Sequence, residues 1–103
     1  MDKQYKLKYS SLFYKDLRQI TFYIKNNLQN VIAAKNLADG VKKTIEKRSI
    51  NPLGYEPYNS VIKRNEIYYR IYYKNYTIFY IVKDNVMEVR RMLYSRRNLS
   101  KIV

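Results

Sequence analysis

The stretch that decides the fold is Ile67-Tyr68-Tyr69-Arg70-Ile71-Tyr72-Tyr73, Tyr76-Thr77-Ile78-Phe79-Tyr80-Ile81-Val82-Lys83 and Val86-Met87-Glu88-Val89-Arg90-Arg91-Met92-Leu93. These are three runs rich in aromatic and β-branched residues. They are separated only by Lys74-Asn75 and Asp84-Asn85. Residues of those types with two-residue breaks between them predict a meander of antiparallel strands joined by tight hairpin turns. The third run leads into Tyr94-Ser95-Arg96-Arg97-Asn98, an arginine cluster. Tyrosines and arginines interleave throughout. That mixture suits a polyanion-binding surface, because aromatic faces stack and guanidinium groups hold phosphate.

The upstream half reads as one strand and two helices. Tyr5, Leu7 and Tyr9 alternate with Lys6 and Lys8, the period of a half-buried strand. Ser10 or Ser11 can cap a helix whose apolar stripe is Phe13, Leu17, Ile20, Ile24 and Leu28, and which ends near Asn26-Asn27. Asn30 can cap a second helix with the stripe Ala34, Leu37, Ala38, Val41 and Ile45. Gly40 inside it predicts close packing on the first helix. Lys42, Lys43, Lys47 and Arg48 gather towards its negative end, and Asn51-Pro52-Leu53-Gly54 stops it. Tyr55, Glu56 and Tyr58 read as a loop or short edge strand, and Lys63-Arg64-Asn65 as a turn. The last ten residues read as a short helix or a tail. An isolated strand is unstable, so the first must join the same sheet.

The expected fold class is therefore α+β: one domain over residues 1–103, in the order β-α-α-β-β-β. A helix hairpin packs on a mostly antiparallel sheet. Alternation puts Ile67, Tyr69, Ile71 and Tyr73 under the helices, with Tyr68, Arg70 and Tyr72 on the opposite face. In the last strand it puts Met87, Val89 and Leu93 inward, and Glu88, Arg90, Met92 and Tyr94 outward. Arg91 has inward parity and is expected to snorkel out at the edge. Arg70, Arg90 and Tyr94 should then share one surface, with Arg96 and Arg97 just beyond it.

Charge and composition narrow the function. The 103 residues carry 21 Lys and Arg against eight acidic residues, a net charge of +13. So basic a small domain calls for an anionic partner: nucleic acid, an anionic membrane or an acidic protein. The chain has no Cys and no His, which excludes thiolate chemistry, zinc hydrolysis and Ser-His triads. The eight carboxylates show no paired spacing for a two-metal site, so neither metal nor cofactor is expected. No apolar run approaches the ~20 residues of a membrane span. The N-terminus lacks the apolar core of a signal peptide, so the expected compartment is the cytoplasm.

Tyr69-Arg70, Asn75-Tyr76-Thr77-Ile78-Phe79-Tyr80 and Val89-Arg90-Arg91-Met92-Leu93-Tyr94-Ser95-Arg96-Arg97-Asn98, in this element order, resemble the RelE/ParE superfamily of toxins from bacterial type II toxin–antitoxin modules. Phe22-Tyr23-Ile24, Ala33-Ala34 and Asn51-Pro52-Leu53-Gly54-Tyr55 match more loosely, and the likeness covers nearly the whole chain. It implies a growth-arresting toxin held in a hetero-oligomer by a cognate antitoxin with an acidic segment. The action it implies first is ribosome-dependent, metal-independent endonucleolytic cleavage of mRNA; the alternative is inhibition of DNA gyrase by binding. An inert nucleic-acid-binding module is a third reading.

On the nuclease reading, the resemblance gives Arg70 to the phosphorane, with Arg90 or Arg96 assisting. Tyr94 falls near the closing position where nucleases of the family use Tyr or His. Glu56 is a runner-up general base. Lys63, Arg64, Lys74 and Arg97 are candidates for non-specific contact with nucleic acid.

Overall fold

A computed structural model describes residues 5–58 and 66–96. The expected turn at Lys63-Arg64-Asn65, the residues from Arg97 onward and the first four residues lie outside the described ones. The elements are β1 (Lys6–Tyr9), α1 (Ser11–Phe22), a turn of π-helix (Tyr23–Asn27), α2 (Val31–Arg48), β2 (Tyr69–Tyr73), β3 (Tyr76–Lys83) and β4 (Val86–Tyr94). The sheet order is β1-β4-β3-β2, with both hairpins antiparallel and β1 parallel to β4. The β-α-α-β-β-β order and the mostly antiparallel sheet are as the sequence predicts.

Local chemistry explains the boundaries. The Ser10 hydroxyl accepts a hydrogen bond from the Phe13 amide at 3.1 Å and fixes the start of α1. It also donates to the Arg90 carbonyl at 2.7 Å, so the same side chain ties the start of α1 to β4. The first helix widens at its end, where the Leu28 amide donates to the Tyr23 carbonyl at 3.2 Å. Gln29, at φ 50°, then turns the chain, and the Asn30 side chain caps α2 through the Ala33 amide at 3.0 Å. Each hairpin turns on a residue with positive φ, Lys74 at 53° and Asp84 at 58°.

The main core lies between the helices and the sheet. Phe13, Leu37, Val41 and Ile45 pack there on Tyr69, Ile71, Ile78, Tyr80, Met87, Val89 and Met92. Leu17, Ile20 and Ile24 continue the α1 stripe at its margin, while Leu28 is exposed. Gly40 does not mark contact with α1, as the sequence suggested. It lies against β2, where an added Cβ would land on the Tyr73 hydroxyl. Gly40→Ala gains about 1 kcal/mol of helix propensity but overpacks this contact at about 1–3 kcal/mol. Thermal unfolding should therefore show a net loss of about 1 kcal/mol. In a Tyr73→Leu background, with the ring gone, the same substitution should become neutral or stabilising.

The sequence reading fails in β4. Tyr80 pairs with Val89 but Phe79 pairs with Arg91, so Arg90 is an extra residue in a β-bulge. Such an insertion reverses the alternation for the rest of the strand. Met92, expected outside, is buried in the main core, at 1% exposure. Leu93, expected inside, packs with Phe79 on the opposite face, under Tyr58 and Tyr68. That face therefore carries a second, small core of its own.

Arg91 does not snorkel to solvent. Its Nε and a terminal guanidinium nitrogen donate to the two Asp16 carboxylate oxygens at 2.8 and 3.1 Å. Asp16 also accepts from the Met92 amide at 3.0 Å, which satisfies a backbone donor of β4. The Asp16 hydrogen bond raises the Arg91 guanidinium pKa further. Asp16 is 7% exposed, the one buried charge on α1.

Candidate target-binding surface

On the face away from the helices, alternation in β2 directs Arg70 and Tyr72 outward. The Arg70 guanidinium carbon lies 5.0 Å from the Tyr58 ring centroid and 5.3 Å from that of Tyr72. Both distances fall within cation–π range. Tyr58 reaches this position because its amide donates to the Tyr68 carbonyl at 2.7 Å, forming one antiparallel bridge beside β2. Its ring meets Phe79 edge-on, with centroids 5.0 Å apart.

Arg90 occupies the same face beside Tyr68, and its charge is already engaged. Its Nε donates to Glu88 at 2.8 Å, one terminal nitrogen donates to Glu66 at 3.1 Å, and the other approaches the Tyr68 hydroxyl at 3.4 Å. Burial works against the Arg90 charge. Glu88 first, then Tyr68 and Glu66, more than offset it, and the guanidinium pKa is raised. A phosphate approaching Arg90 would have to displace two carboxylates. By contrast, Arg70 makes no ion pair among the described residues.

The remaining predicted site residues scatter. Tyr94 pairs with Tyr76, which packs on the main core, and their rings meet edge-on at 6.0 Å. The bulge thus turns Tyr94 to the helix side, away from Arg70 and Arg90, against the expected common surface. Arg96 is exposed in the turn beyond β4. Lys74 stands at the β2–β3 turn, with its ammonium 5.8 Å from the Tyr73 ring, again on the helix side. Glu56 is exposed in the loop after α2. Lys63, Arg64 and Arg97 lie outside the described residues.

One arginine that the sequence reading took only as a helix-end cation has a larger part. Arg48 donates from one nitrogen to the Arg70 carbonyl at 3.0 Å and to the Tyr80 hydroxyl at 3.1 Å. Its guanidinium carbon sits 3.4 Å from the Tyr55 ring centroid. Tyr80 in turn donates to the Pro52 carbonyl at 2.6 Å. This network clamps the loop after α2 to β2 and β3, and that loop delivers Tyr58 to Arg70. A cation at the end of α2 followed by Pro52 and Tyr55 was the visible signal, but its partners lie 22 and 32 residues away.

Comparison with known proteins gives one family. The model of the ParE toxin of the type II toxin–antitoxin system, parDE, matches residues 7–99. The chain belongs to the ParE toxin family. Toxins of the RelE/ParE superfamily are thus the group it joins, as its strands and closing block suggested. No curated protein matches it. Among solved structures, the RelB–RelE antitoxin–toxin complex from Methanococcus jannaschii is similar at 24% identity, covering 84% of this chain and 88% of that one, with a TM-score of 0.47. So distant a likeness carries no functional weight. Within the toxin, no helix of the described residues is long and apolar enough to cross a membrane.

Proposed function

We propose that this toxin arrests growth by gripping a macromolecular target, DNA gyrase on the ParE pattern, and not by cutting RNA. The β4 bulge carries this reading. Metal-independent RNA cleavage needs a base for the 2′-OH, an acid for the leaving oxygen and positive charge on the phosphorane, all converging on one phosphate. The bulge sends Tyr94 to the far side of the sheet from Arg70. Arg90 is bound to Glu88 and Glu66, and Arg91 to Asp16. What stays together among the described residues is Arg70 with Tyr58 and Tyr72, a binding surface on which no carboxylate pairs with the arginine.

The partner that restrains the toxin, on this reading, is an antitoxin with an acidic segment. The end of the helix hairpin supports this, with Phe22, Tyr23, Leu28, Val31 and Ile32 all at least half exposed. The net charge of +13 would speed the encounter. Toxin and antitoxin then form a hetero-oligomer in the cytoplasm.

The second reading, a ribosome-dependent mRNA endonuclease, draws support from Arg70, whose charge no described carboxylate takes up. Two purified assays separate the readings. The gyrase reading expects loss of negative supercoiling at toxin concentrations comparable to the enzyme, with ribosome-bound mRNA intact. Cleaved mRNA with unaffected supercoiling would reverse the assignment.

A further inference from the structure

The helical side of the molecule holds a cavity that neither reading of the toxin uses. It opens between the start of α1 and the second half of α2 and measures about 320 Å³, at the lower end of the ~300–1,000 Å³ of small-ligand sites. Phe13, Val41 and Ile45, all nearly fully buried, form its floor. Tyr9 and Tyr14 add two rings, with the centroids of Tyr9, Phe13 and Tyr14 5.4, 5.6 and 5.8 Å apart. A planar or branched apolar group entering here would meet aromatic faces and edges at ordinary packing distances.

The cavity is rimmed by opposite charges. Asp39 and Lys42 both line it, three residues apart on α2 and exposed. Residues at that spacing are neighbours on a helix surface and often pair. Here neither forms an ion pair among the described residues. Glu46, four residues beyond Lys42, is a second exposed carboxylate and acts on the Tyr9 phenol. A ligand with an ammonium alone would meet the net charge of +13. One with a carboxylate alone would meet Asp39 and Glu46. A zwitterion offers each rim charge its opposite. We propose that this cavity is a binding site for a free α-amino acid with an aromatic or large aliphatic side chain. The side chain enters the apolar floor, the ammonium faces Asp39 and the carboxylate faces Lys42. The site does not depend on how the toxin acts on its target.

A titration of the purified toxin followed by amide chemical shifts tests it. The probes are L-phenylalanine, L-leucine, glycine, L-phenylalaninamide and 3-phenylpropionate. L-Phenylalanine and L-leucine should bind, with shifts centred on Tyr9, Phe13, Ala38 and Lys42. Glycine has no side chain to bury and should bind at least about tenfold more weakly. The amide lacks the carboxylate and 3-phenylpropionate lacks the ammonium, and each should bind about threefold more weakly than L-phenylalanine, as for an exposed ion pair. Lys42→Gln should weaken L-phenylalanine by the same factor and leave the amide unchanged. Asp39→Asn should weaken L-phenylalanine and not 3-phenylpropionate. Ala38→Leu, which adds a side chain to the cavity lining, should abolish binding of all five probes.

Glycine binding as tightly as L-phenylalanine would overturn the proposal, because the cavity would then contribute nothing. So would an amide or a 3-phenylpropionate that matches L-phenylalanine, since the zwitterion would not be read. Shifts centred on Arg70 and Tyr72, across the sheet, would overturn it as well. The ligand series uses the unaltered toxin, so the result stands even if a variant fails to fold.

Discussion

Asp16→Ala should cost this toxin about 3–5 kcal/mol of stability, because it leaves the half-buried Arg91 guanidinium without its carboxylate. Asp16 does two things at once. It accepts two guanidinium bonds from Arg91 and one from the Met92 amide, and it is itself 7% exposed. Truncation strands a charge and a backbone donor together. A domain of this size has a total stability of about 5–15 kcal/mol, so the loss is about a fifth of it or more. Thermal denaturation should register about 4–8 °C for each kcal/mol.

Asp16→Asn keeps one acceptor for the Met92 amide and should fall between wild type and Ala. The double variant Asp16→Ala/Arg91→Met removes both charges. It should recover much of the loss, because a buried ion pair is often replaceable by well-packed apolar groups. If Asp16→Ala melts within 1–2 °C of wild type, the pair does not anchor α1 to β4. The cycle of single and double variants measures the coupling directly.

Tyr80→Phe is the second large effect, at about 1–3 kcal/mol, since it leaves the Arg48 donor and the Pro52 carbonyl without the shared hydroxyl. Tyr80 is fully buried at the centre of the sheet, stacked on Tyr69 with ring centroids 5.4 Å apart. Its hydroxyl holds the loop after α2 on the sheet.

The same residue sets a pH dependence. Burial raises the Tyr80 phenol above its ordinary value of 10.0, although the hydrogen bond and charge of Arg48 pull it down. The folded state therefore favours the neutral phenol, and the stability it confers is fully present below pH 10.0. It is lost as pH rises from there through the higher folded pKa. Tyr9 and Tyr76, also raised by burial, act in the same direction. The melting temperature should hold steady up to the unfolded tyrosine pKa and fall above it. Tyr80→Phe should start lower and fall less steeply. A variant as steep as wild type would take Tyr80 out of the alkaline transition.

These effects trace to places where local pattern and tertiary pairing disagree. Ser10, Asn30, Lys74-Asn75 and Asp84-Asn85 were legible because caps and tight turns are settled by neighbours within a few residues. The α2 stripe was legible for the same reason. Asp16 was harder to see, yet it left a signal. It sits three residues after Phe13 and four before Ile20, in the middle of an apolar stripe, while Arg91 sits in an apolar strand. Two opposite charges, each misplaced in its own element, point to each other. The pairing of Arg90 left a signal as well, since Glu88 and Arg90 are two apart on one strand and so share a face.

The bulge left none. Strand parity is a local rule, but a single inserted residue reverses it, and where the insertion falls depends on the partner strand. Ser10 bonds to the Arg90 carbonyl, and Asp16 takes the Met92 amide, on either side of it. Both groups come from β1's exit and α1, more than 70 residues upstream. The sequence by itself determined the order of elements, the two hairpins, the core stripes and the surplus of positive charge, because each is encoded over a few adjacent residues. Only the tertiary structure decided which arginines keep a free charge and which side of the sheet Tyr94 takes. Those outcomes depend on carboxylates and carbonyls that folding alone brings within 3 Å or so of a guanidinium or an amide.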